Sequence, residues 1–173
     1  MGRGSSKENK NIYQLSREKN GLTRAAASEL MSWISDSRIE KIESEKSKPS
    51  PDEVIEMARA YKKPELCNYY CSHECPIGIK YVPEVQEKPL SEIVLSTISI
   101  LNNLQKEKDR LIEIASDGII HDDEIEDFVT INDQLESISV LVDSLKLWFD
   151  NTISEGKINT EILNETIKNK NNK

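Results

Sequence analysis

From Pro89 onward the apolar residues fall in a rhythm that only helices satisfy. Leu90, Val94, Leu101, Leu104 and Leu111 lie on one helical face as far as Asp117-Gly118. A second segment then carries Ile125, Phe128, Leu135, Ile138, Val142, Leu145 and Phe149 at spacings of three and four. Strands alternate with period two, so this spacing predicts a long antiparallel, coiled-coil-like helical hairpin over residues 89–153. Val129, Ile131, Val140, Leu141 and Trp148 stand off the main stripe of the second helix. They are more apolar surface than one partner helix covers, and a second copy of the hairpin is the simplest cover. The expectation is therefore a homodimer, with a protein partner at the hairpin as the other occupant.

Ahead of the hairpin the helical segments are short: Ile12 to Asn20, Thr23 to Met31, Ser35 to Glu43, Pro51 to Tyr61, and a last turn around Glu65 to Tyr70. Gly21 stops the first, and Thr23 and Ser35 can cap the next two. Ser50-Pro51-Asp52-Glu53 supplies a capping serine, a proline at the first helical position and a glutamate able to close a capping box. Ile39, Ile42, Leu22, Leu30, Val54 and Met57 are the expected core. The fold class is all-α: a five-helix head over residues 11–66, a Cys-rich linker over 67–88, the hairpin over 89–153, and tails at 1–10 and 154–173.

Charge is divided unevenly. Residues 1–63 hold 13 Lys and Arg against 10 Asp and Glu, and residues 64–173 hold 10 against 21, which gives the net charge of −8. A chain of this sign does not coat nucleic acid along its length, so a polyanion is met by the head alone. No apolar run approaches the roughly 18 residues of a membrane span, and the first residues lack a hydrophobic leader segment. The expected location is cytoplasmic, with no membrane partner. Met1-Gly2 with Ser6 fits a myristoylation pattern. Catalysis has little to draw on, because there is no Ser-His-Asp set, phosphate-cradling glycine loop or HExxH, and His73 and His121 are the only histidines. The chain is read as no enzyme.

Gly21-Leu22-Thr23, the Ala26-Ala27 pair, Ile39-x-x-Ile42-Glu43, Lys46, and Pro49-Ser50 ahead of the capped fourth helix resemble the lambda repressor/Cro-type (Xre-like) helix-turn-helix family. The likeness covers about residues 12–66, and the run from Cys67 to Gly78 with the hairpin after it resembles bacterial regulators of the same architecture. It implies a sequence-specific DNA-binding transcriptional regulator or repressor, commonly dimeric, that reads an inverted-repeat operator. In this reading the third helix enters the major groove with Ser35, Ser37, Arg38 and Lys41 on its leading face. Arg38 is the expected guanine contact, and Arg24 clamps a phosphate in place of the family's usual Gln. Two departures stand out. The turn Met31-Ser32-Trp33-Ile34 lacks the usual glycine and is one residue longer, and Asp36 and Glu40 bring carboxylates to the DNA-facing side. The alternative is a protein-binding effector, of the kind mobile elements encode, whose acidic hairpin takes a partner while the head is autoregulatory or no longer binds DNA.

Cys67, Cys71, His73 and Cys75 fall within nine residues. Three thiolates and an imidazole make a tetrahedral zinc set, C-x3-C-x3-C can also hold an iron-sulfur cluster, and small buried thiols with a solvated histidine are the reading without metal. The hairpin tip from Glu113 to Glu124 matches a calcium loop in part, but Ala115 stands where an oxygen ligand is needed, so a capped turn is the simpler reading.

Overall fold

The computed structural model describes residues 10–171. The myristoylation pattern and all but the last residue of the expected tail 1–10 lie outside that range. Among the described residues there are nine α-helices and no strand: α1 Ile12–Lys19, α2 Arg24–Leu30, α3 Asp36–Glu43, α4 Pro51–Ala60, α5 Glu65–His73, α6 Gly78–Tyr81, α7 Leu90–Ile114, α8 Ile125–Ser154 and α9 Thr160–Asn171. The chain divides into two compact units, one running up to Glu84 and resuming at Phe149, the other Val85–Trp148.

In the first unit the caps do what their residue types imply. Thr23 accepts the Ala26 N–H at 3.1 Å, Ser35 accepts the Arg38 N–H at 3.3 Å, and Ser50 and Glu53 close the capping box. Each cap satisfies an N–H that the first helical turn leaves without a partner. Tyr13, Ala27, Met31, Ile34, Ile39, Ile42, Val54, Met57, Tyr61 and Leu66 form one buried core. Leu30, expected there, is 48% exposed. The reason is local: α2 ends at Leu30, and Met31 leaves helical geometry and takes the core position one turn after Ala27. The longer turn is tied down by Ser28, whose hydroxyl donates to the Ile34 carbonyl at 2.8 Å.

The segment expected as an ordered linker is helical over about half its length. α5 runs on to His73, and α6 returns so closely that a Cβ on Gly78 would sit 2.1 Å from the Cys71 carbonyl oxygen. Only glycine allows that approach. The stretch 154–173, expected as a tail, carries α9. Its first turn is capped by the Asn159 carboxamide oxygen, which accepts the Glu161 and Ile162 N–H groups at 3.0 and 3.2 Å, and Ile162, Leu163 and Ile167 keep helical spacing.

The second unit is the hairpin, with its turn at Gly118 in the left-handed region at φ 73°. Asp117 accepts from the Ile119 N–H, and its other oxygen meets His121 Nε2 at 2.9 Å; Arg110 bonds Asp127 at 2.6 Å. Val85, Ile93, Ile114, Ile131 and Leu147 are its buried apolar residues, whereas Val94, Leu101, Phe128, Leu135, Val142 and Leu145 stand open. The stripes that periodicity assigned to the helix–helix contact are thus in large part the outward ones. Periodicity finds an apolar stripe, but where two faces are apolar it does not say which of them pairs. Among the described residues no helix is long and apolar enough to cross a membrane.

Candidate nucleic-acid interface

α3 presents two unlike sides. Ile39, Ile42 and Glu43 are buried, while Asp36, Ser37, Glu40 and Lys41 are exposed, with Ser35 exposed at the cap. Positions 37, 40 and 41 share one face, as spacings of three and four require. The Ser35 and Ser37 hydroxyls lie 3.0 Å apart at the start of this face. Lys46 and Lys48, also exposed, follow in the connection to α4.

The orientation of α3 is held by two arginine–carboxylate clamps. Glu43, whose side chain is fully buried, accepts from Arg17 Nε at 2.5 Å and Nη2 at 2.9 Å and from Arg24 Nε at 2.8 Å, so one carboxylate joins α1, α2 and α3. A buried charge of this kind is tolerated only because it is paired and hydrogen-bonded on both oxygens. In the second clamp Arg38 donates to both oxygens of Glu53 at 2.6 and 2.7 Å, to the Ser47 hydroxyl at 2.5 Å and to the Lys48 carbonyl at 2.9 Å. The hydrogen bond with Arg38 holds the Glu53 carboxyl below the usual glutamate range against the opposing effect of burial.

These clamps bear on both arginines named from the sequence. Arg38, with 30% of its side chain open, engages Glu53, Ser47 and Lys48 rather than standing free on the face of α3, and so ties α3 to α4. Arg24 gives one N–H to Glu43 and keeps a third of its side chain open to solvent, which leaves it able to meet a phosphate. Ser35, Ser37 and Lys41 lie where the sequence reading placed them, on the open face.

The helix-turn-helix family model matches residues 15–66, the segment from α1 into α5. This segment is a helix-turn-helix domain of the Xre/lambda repressor type. No curated protein and no solved structure matches the chain. The family is one of DNA-binding transcriptional regulators. Sequence reasoning missed the acceptors that immobilise the arginines. A signal for one was present: Glu43 directly follows the core residue Ile42 on the buried side of α3, and a carboxylate there calls for a buried cation.

The cysteine cluster is not gathered into a metal-holding set. Cys67 and Cys71 are half-buried on α5; burial, with Cys71 and Asp150 adding to it, pushes the Cys67 thiol up. The Cys75 sulfur accepts the Gly78 N–H at 3.5 Å. His73 stacks on Tyr69 with ring centres 4.5 Å apart, and its Nδ1 lies 2.9 Å from the Ser72 hydroxyl. Among the described residues no group of three or more His, Cys, Asp or Glu is placed to hold a metal ion, the hairpin tip included.

Proposed function

We propose that the chain is a sequence-specific transcriptional regulator whose α3 enters the major groove and reads base edges through Ser37, Glu40 and Lys41. The observation that carries this reading is the division of labour on α3: these three side chains are open on one face, while Arg38 is spent on Glu53. Lysine donates to the guanine O6/N7 edge, glutamate accepts from the cytosine amino group, and serine serves either. A guanine beside a cytosine in each half-site follows from that pairing. Ser35, Arg24, Lys46 and Lys48 meet phosphates, which supply affinity rather than sequence preference.

Glu40 and Asp36 repel phosphates, so a single head binds weakly, and two heads acting together on an inverted repeat supply the affinity. The protein works in the cytoplasm, where its DNA is, and needs no cofactor for this step. The reading of the chain as a protein-binding effector rests on the open apolar residues of the acidic hairpin. In the form in which the head no longer binds DNA, it predicts no preference among DNA sequences. Selection from a random pool of duplex DNA with the full chain separates the two: enrichment of an inverted repeat supports the regulator, and a pool that stays random overturns it.

A further inference from the structure

We propose that the open side of the hairpin is covered by a second copy of the chain, the two hairpins closing into a four-helix bundle. The inference deepens the reading of a dimeric regulator and rests on that reading for its consequence at DNA. Along α8, Phe128, Ile131, Leu135, Ile138, Val142 and Leu145 are alternately three and four residues apart without a polar interruption. That is the 3.5-residue period of a helix packed in a left-handed coil, and it calls for cover along its length. The hairpin itself covers only part: Ile131 is buried and Ile138 half-buried, but Phe128, Leu135, Val142 and Leu145 keep between 38% and 48% of their surface open. Across from them Thr97 and Leu101 of α7 join Ile138, Leu141, Val142 and Leu145 around a groove of about 90 Å³ whose lining is almost wholly apolar.

Area and charge select the occupant. Ile98, Leu101, Phe128, Leu135, Val142 and Leu145 together leave on the order of 500 Å² of apolar surface open per chain, which is about the apolar part of a standard interface of about 800 Å² per partner. A patch of this size is about the largest that a typical monomer exposes, and such patches are often interaction surfaces. The positions that flank the middle of the seam are Asn132, Gln134, Ser139 and Leu141. They carry no charge, so like charges do not meet across the middle of the seam, and no carboxylate stands there to select a basic partner. The acids lie farther out. With 14 Asp and Glu against 5 Lys and Arg in residues 85–148, two hairpins repel one another at long range, and salt strengthens their association by screening. Salt has the opposite effect on DNA binding.

The test is the mass of the full chain in solution, without DNA, by sedimentation equilibrium at about 10 to 100 µM over a range of salt. The expected result is twice the chain mass of 19.7 kDa, with association tightening as salt rises. Val142→Glu is expected to raise the dissociation constant about thirtyfold or more, and Val129→Glu, on an exposed position outside the seam, to leave it unchanged. Leu135→Gln gives a second, milder variant should Val142→Glu lose its helical circular dichroism. A monomeric wild-type chain at the highest concentration overturns the proposal, as does a dimer that both seam variants leave intact. A dimer without preference among DNA sequences overturns the DNA reading and leaves this surface standing; a monomer that still selects a DNA sequence does the reverse.

Discussion

Arg38 grips Glu53 through two N–H···O bonds of 2.6 and 2.7 Å, fastening the middle of α3 to the first turn of α4. The same glutamate closes the capping box by accepting the Ser50 N–H at 2.7 Å. One carboxylate therefore sets both where α4 begins and how α3 is presented. Replacing Arg38 with Ala is expected to cost about 1.5–3 kcal/mol, the range for hydrogen bonds to a charged group, and to weaken every DNA sequence together. Arg38→Lys does not restore the loss, because an ammonium has no planar fork. Thermal melting and binding to specific and unrelated duplexes check this; unchanged melting with altered base preference would return Arg38 to a reading role.

The pair also makes stability depend on acidity. The folded Glu53 carboxyl titrates below its unfolded value, so its contribution is complete above the unfolded value of about pH 4.3 and is lost as the pH falls through the lower folded one. Melting of the wild type and Glu53→Gln between about pH 3 and 7 is expected to show a gap that is full near neutrality and narrows below about pH 4.3. A gap that does not change with pH means that the ion pair adds nothing.

Glu43 has a larger effect. Glu43→Gln removes the bidentate partner of Arg17, 7% exposed in its side chain, and leaves it only Glu18 at 3.8 Å; breaking a buried pair by removing one partner costs about 3–5 kcal/mol. Arg24→Ala removes a partly exposed partner and costs about 1 kcal/mol or less, while weakening all DNA sequences alike. Denaturant titration of both variants gives the comparison. Equal losses would mean that Arg24 and not Arg17 balances the buried carboxylate.

The cysteines are expected to behave as separate thiols. Burial keeps Cys67 protonated, so it reacts with a thiol reagent more slowly than it does in the unfolded chain. Melting after treatment with a chelator should not change. A full equivalent of zinc or iron in protein purified without chelator, with melting lowered on its removal, contradicts this arrangement.

Much of the head was legible because its signals are local. Thr23, Ser35 and Ser50 mark helix starts by residue type alone, and α3 ends at Glu43 as its spacing predicts. What escaped was set at a distance. The use of Arg38 depends on Ser47, Lys48 and Glu53, brought to it by the turn after α3, and nothing beside Arg38 in sequence shows this. Leu30 and Met31 exchanged roles because helix α2 ends one residue earlier than its apolar pattern. In the hairpin two apolar faces compete, and the one that pairs is settled by packing rather than by period. The cysteines are close in sequence, yet among the described residues no group of three or more is placed to hold a metal ion.

The claim that Ser37, Glu40 and Lys41 form the reading face is tested most directly by repeating the selection from random duplex DNA with Lys41→Ala, Glu40→Gln and Arg38→Ala beside the wild type. Lys41→Ala is expected to lose about 1–3 kcal/mol at one position of the half-site and to relax the preference there, as a base contact does. Glu40→Gln is expected to shift the preference at a neighbouring position from cytosine toward adenine, which a carboxamide pairs with. Arg38→Ala should weaken binding without changing the selected sequence. Identical selected sequences from wild type, Lys41→Ala and Glu40→Gln, with a changed one from Arg38→Ala, would contradict the account.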